Sequence, residues 1–126
     1  MRTLLSGIGM AIALFGAISY AHGQKATERY IPLGQSPGLS QKYTSIGEIA
    51  DVDPREQTVT ILEPTGRRTV KITQQTRIWV DRTKLKQTNV TGSFADLQKG
   101  RRVEVKYDDP ERRQVADWVK VELTQP

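Results

Sequence analysis

Apolar and charged residues alternate strictly from Arg102 to Tyr107. Val103, Val105 and Tyr107 share one parity, and Arg102, Glu104 and Lys106 the other. A period of two marks a strand with one buried face. Just before it, Ser93-Phe94-Ala95-Asp96-Leu97 has the form of a single capped helical turn. Ser93 is placed to cap, Asp96 stands three residues on, and Phe94 and Leu97 share a face. Gly100 then supplies the left-handed stop.

The same period recurs along the chain. Tyr43 to Val52 predicts a first strand, with Ile46, Ala50 and Val52 in phase, Ile49 out of phase, and Gly47 at a bulge or tight bend. Asp53-Pro54-Arg55-Glu56 has type I turn chemistry and leads to a β-branched second strand, Thr58 to Glu63. Pro64-Thr65-Gly66 closes a hairpin onto a third strand, Arg68 to Ile72. That strand can continue through Arg77-Ile78-Trp79-Val80 after a kink near Thr73-Gln74-Gln75. Asp81 to Gly92 lacks an apolar period and predicts a loop. After the turn at Asp108-Asp109-Pro110-Glu111, a last strand runs from Gln114 to Leu123. Ala116 is out of step there, which predicts a bulge near Asp117-Trp118.

Ahead of the strands the pattern changes twice. Residues 1–23 have the form of a signal peptide: Arg2, an uncharged apolar run, then small-x-small cleavage positions at Ala21 and Gly23. Residues 3–24 carry no charge and are also long enough to span a bilayer, so membrane attachment is expected only if the leader is uncleaved. Residues 24–42 form an extended arm or linker, broken by Pro32, Gly34, Pro37 and Gly38. Its apolar residues Tyr30, Ile31, Leu33 and Leu39 suit docking on the chain's own surface or on a partner. Residues 43–124 remain for one domain.

Five strands with one short helical turn between the third and fourth is the order of the OB-fold, a small β-barrel. Closure also removes exposed strand edges. The segments Gly47 to Asp53, Thr58 to Ile61, Thr76 to Ile78 and Asp96 to Val105, with Ala116 and Val119-Lys120-Val121, resemble small exported bacterial OB-fold-like β-barrel domains of unknown function. The resemblance covers about Ser45 to Leu123. It implies a periplasmic or secreted barrel and brings no catalytic residues.

Composition narrows the chemistry further. The 126 residues contain no cysteine, and the single histidine is His22, in the leader region. Thiol catalysis, Cys/His zinc sites and Ser-His pairs are therefore not expected. No glycine-rich loop precedes a helix to cradle phosphate. Asp108-Asp109 is the most acidic spot, but Asp is favoured in a proline turn for backbone reasons. If cleavage follows Ala21, His22 and the new amine could chelate copper, although no second histidine completes a site. Asn89-Val90-Thr91 matches a glycosylation sequon by chance. No catalytic residue, cofactor or metal is expected.

The charge is +5, or +4 without Arg2 (18 basic against 14 acidic residues), and is interspersed. That keeps a protein soluble, and it also attracts polyanions. Parity places Trp79 outward with Arg77, Arg102 and Lys106 outward on the fourth strand, and Trp118 and Lys120 outward on the fifth. Rings among cations can hold single-stranded nucleic acid or acidic glycan. Two tryptophans are too few to define a binding track, which favours a packing role instead: they cover the barrel ends or lie under the Tyr30–Leu39 arm, with arginines stacked on them. The sequence thus predicts an exported, non-enzymatic binding module whose possible ligand surface is Arg77, Trp79, Arg102, Lys106, Trp118 and Lys120. The alternatives are an assembly subunit docking through Tyr30, Ile31, Leu33 and Leu39, and a polyanion binder.

Overall fold

Seven strands form one sheet in the order β3-β2-β1-β6-β7-β4-β5. They are β1 (Thr44–Asp53), β2 (Thr58–Glu63), β3 (Gly66–Lys71), β4 (Arg77–Asp81), β5 (Val90–Thr91), β6 (Arg102–Tyr107) and β7 (Ala116–Glu122). The computed structural model describes residues 27–126, so the leader and His22 lie outside the described residues. Every pairing is antiparallel except β4 with β7.

The sheet curls into a small barrel. Lys71, at the end of β3, donates its N–H to Gln114 O (2.8 Å) and bridges Val115 in parallel. Beyond a turn at Thr73–Thr76, β4 runs on along β7. The Thr76 hydroxyl fastens the break by donating to Ala116 O at 2.7 Å.

Two features bend β1 between its neighbours. Residues 44–48 pair with β6 and residues 48–53 with β2, with the register slipping between Ile49 and Asp51. Gly47 sits at the crossing, where a Cβ would stand 2.3 Å from Leu62 O. Only glycine permits that backbone approach.

The inward parity fills the barrel with Ile49, Val59, Ile61, Val70, Val103, Val105, Val119 and Val121, capped by Leu97 from the turn before β6. Each such side chain contributes about 1.5–3 kcal/mol through burial. The void among them is about 10 Å³, at most the room of one water, so the barrel's centre is packed.

Several expectations are corrected. There are seven strands rather than five. The third breaks into β3 and β4 at the 73–76 turn, and the expected loop at 81–92 holds a 3-10 turn, Thr83–Leu85, and the two-residue β5. The turn Phe94–Asp96 is also 3-10, and Asp96 Oδ2 accepts the Ser93 N–H at 2.8 Å. Ile49 lies in the core rather than out of phase, because the slip in β1 falls at Ala50 and not at Gly47. The bulge expected in the last strand is present. Lys106 faces Trp118 and Tyr107 faces Ala116, leaving Asp117 as the extra residue.

Candidate functional site

The outer side of β6, β7 and β4 carries nine outward side chains in three rows. Strand register sets Lys106, Trp118 and Arg77 side by side, then Glu104, Lys120 and Trp79. The third row is Arg102, Glu122 and Asp81, with Arg102 bonded to Glu122 at 3.5 Å. All six residues of the expected ligand surface fall on this grid. Alternation dictates that: outward positions on three neighbouring strands must share a face.

The tryptophans lie covered, as the packing reading expected, rather than open to solvent. Trp79 is 4% exposed, Trp118 1% and Lys120 0%. Arg77 and Arg102 remain exposed, and Lys106 is half-buried and bonded to Asp117 at 3.0 Å. The arm explains the difference, because it lies over the middle of the grid. Leu33 is buried, Ile31 and Leu39 are half-buried, and Tyr30 stands 50% exposed with the Arg29 guanidinium over its ring.

Over its described residues the arm is a run of turns rather than the extended segment expected, because Pro32, Gly34, Pro37 and Gly38 bend the backbone. Tyr30 N–H donates to Thr27 O and Ile31 N–H to Glu28 O. Leu39 N–H donates to Ser36 O across Pro37-Gly38, and Gly38 has φ +74°, as a type II turn requires. These turns aim backbone donors at the grid. Leu33 N–H donates to Asp81 Oδ2 (2.7 Å), and Gly34 N–H donates to Glu104 Oε1 (2.9 Å). Glu104 Oε2 accepts from the hydroxyls of Ser40 (2.7 Å) and Thr44 (2.8 Å).

Lys120 uses all three of its protons. Nζ donates to Glu28 Oε1 (2.7 Å), Ile31 O (2.9 Å) and Ser36 Oγ (3.2 Å), and Ser36 Oγ donates in turn to Glu28. The same Nζ lies 4.8 Å from the Trp118 ring centre, a cation–π contact strengthened by desolvation. Trp118 and Trp79 are tilted neighbours, with ring centres 5.6 Å apart.

At the start of the arm, Asn89 acts as a staple. Its Oδ1 accepts Arg82 N–H (2.7 Å) and its Nδ2 donates to Arg29 O (3.0 Å). It is buried, so the sequon-like match Asn89-Val90-Thr91 serves the backbone.

The residues missed in the sequence are Glu28, Ser36, Asp81 and Glu104. Glu104 carried a signal, since it is an acid at an outward strand position, whereas Asp81 was read as the start of a loop. Glu28 and Ser36 carried none, because the arm has no period. Among the described residues, no group of three or more His, Cys, Asp or Glu is placed to hold a metal.

Chemically, the face offers a buried ammonium for a carboxylate and buried carboxylates for backbone N–H groups, over an aromatic floor. Similarity is found to a solved structure of a tryptophan-to-alanine variant of CusF from Escherichia coli with Cu(II). The identity is 14% and the TM-score 0.44, over 64% of this chain and 90% of that one. A crystal structure of Ag(I) CusF is similar at 14% identity and TM-score 0.42, over 62% and 93%. No family model and no curated protein matches the chain.

Proposed function

We propose that this chain is an exported, non-enzymatic, OB-like barrel of the bacterial envelope that binds a turn-rich polypeptide segment across the outer face of β6, β7 and β4. One observation carries the proposal: the chain's own arm is such a segment. Its carboxylate meets Lys120, and its backbone N–H groups meet Asp81 and Glu104. This mode of recognition uses backbone hydrogen bonds for affinity and charged positions for register. The leader-like residues 1–23 support export, and the absence of Cys and His from residues 27–126 supports a binding role over catalysis.

The polyanion alternative has less support. Arg102 pairs with Glu122, Lys106 with Asp117 and Lys120 with Glu28, which leaves Arg77 as the one cation of the proposed surface without an acidic partner among the described residues.

The test uses a synthetic peptide of residues 27–42, added to a chain whose own arm is loosened by Glu28→Lys. Trp79 and Trp118 are the only tryptophans, and both report on the face. Saturable return of their emission toward the buried, blue-shifted value supports the proposal. No change up to millimolar peptide sinks it. Salt-dependent binding of single-stranded DNA or heparin by the unaltered chain would favour the polyanion alternative.

A further inference from the structure

We infer that the face described above takes the arm of a second copy of this chain, so that two copies exchange arms. The inference rests on the polypeptide-binding proposal and adds the identity of the partner. Three observations lead to it.

The first is the chemistry of docking. The arm is held chiefly by buried polar contacts, and its central one is an ion pair in which Lys120 has no exposure. Buried ion pairs gain little over an apolar contact of equal volume, because desolvation offsets the attraction. They do impose register and partner choice. A face built this way is selective for one sequence, and the arm is the sequence that satisfies Lys120, Glu104 and Asp81 together.

The second is the connection between arm and barrel. Ser40 to Tyr43 is a tight reversal in which Gln41 holds φ +67°, a left-handed conformation with a Cβ to accommodate. Lys42 and Tyr43 both donate N–H to Leu39 O to close it. Extending this segment removes the strained conformation and continues the line of β1. Short strained connections favour exchange over folding back.

The third is conservation of contacts. The arm precedes β1 and joins the barrel only through Tyr43 in the sequence, so a second copy's arm can make every bond that the arm makes to the face, and only the bonds within the connection, such as those to Leu39 O, are given up. Exchange of an identical element between copies closes a two-fold dimer at low cost.

The test is complementation between two full-length variants. Glu28→Lys sets like charge against Lys120, and Lys120→Glu sets like charge against Glu28. Each alone should be monomeric, with red-shifted tryptophan emission. Mixed at equal concentration, the arm of the first matches the barrel of the second. A dimer of 1:1 composition by native mass spectrometry, with partial return of the emission, is the expected result. A mixture that stays monomeric overturns the inference.

A second variant guards against charge reversal simply unfolding the barrel. Deleting Gln41 and Lys42 makes the connection too short to fold back, so the chain should become an obligate dimer by light scattering. If it stays monomeric with a native β-sheet spectrum, exchange is refuted whatever the charge variants do. If the trans peptide binds while both exchange tests fail, the polypeptide site stands and only its second-copy occupant is wrong. If the peptide fails too, the site itself is wrong.

Discussion

Lys120 and Glu28 lie 92 positions apart in the chain and meet at 2.7 Å beneath the arm. The ammonium is fully buried and the carboxylate is nearly so. Burying either charge without the other would leave its desolvation cost unopposed, so each holds the other in place.

Removing one partner is therefore costly and removing both is not. Lys120→Met should lower unfolding stability by about 3–5 kcal/mol, since Glu28 would be left buried without its cation. The double variant Lys120→Met with Glu28→Leu should recover most of the loss. Urea denaturation of the two single variants and the double variant measures the coupling directly. A loss in the double variant equal to the sum of the two single losses would show that the pair is not coupled.

Glu104 anchors the arm, accepting the Gly34 N–H and the Ser40 hydroxyl, and it also accepts the hydroxyl of Thr44 in β1. Glu104→Ala leaves these donors without their acceptor, at about 1–3 kcal/mol for each that stays buried. Because the Gly34 and Ser40 bonds join the arm to the barrel, acrylamide quenching of Trp79 and Trp118 should rise before the barrel unfolds. If quenching and global unfolding move together, the arm is not a separable unit.

Gly47 makes a steric prediction. An alanine there would press its Cβ against Leu62 O, which belongs to the backbone and cannot rotate away. Gly47→Ala should cost about 1–3 kcal/mol. Gly38→Ala meets no atom within 4 Å, and its cost comes only from a positive φ. The thermal midpoint of the first should fall further than that of the second.

Tyr107 governs stability in alkali. Burial pushes its phenol above the usual value of 10.0, with Glu63 adding to the rise and the Ser45 hydroxyl, Arg68 and Arg113 partly offsetting it. Below pH 10 the group is protonated in both folded and unfolded chains and contributes no pH dependence. Above pH 10 the unfolded chain loses the proton first, so stability falls as pH rises toward the raised folded value. Tyr107→Phe should flatten that part of the stability curve. An unchanged alkaline slope would assign it to another group.

Asn89 tests whether the arm needs its first staple. Asn89→Ala removes the bonds to Arg82 N–H and Arg29 O. Hydrogen exchange at residues 27–31 should accelerate more than at β6. Uniform acceleration would mean that the staple supports the whole barrel instead.

The strands were legible in the sequence wherever alternation was clean. Val103, Val105 and Tyr107 point inward because a strand's side chains must alternate, and the grid of Lys106, Trp118, Arg77 and their neighbours follows from the same rule. The bulge at Asp117 was legible too, since Ala116 broke the period. The kink near Thr73-Gln74-Gln75 was legible as well, although not that it divides the strand in two, and the slip at Ala50 was not, because both arise from bending strands around a closed barrel rather than from local preference.

Two kinds of information thus separate in this protein. The order of polar and apolar residues along the chain determined which side chains face in and which face out, for that is a property of the extended backbone alone. Only the tertiary structure decided that Trp79, Trp118 and Lys120 lie out of solvent. What covers them is a segment without period, bound through its own N–H and C=O groups and one distant carboxylate. Backbone groups are the same at every residue, so nothing in the local sequence marks where they will dock.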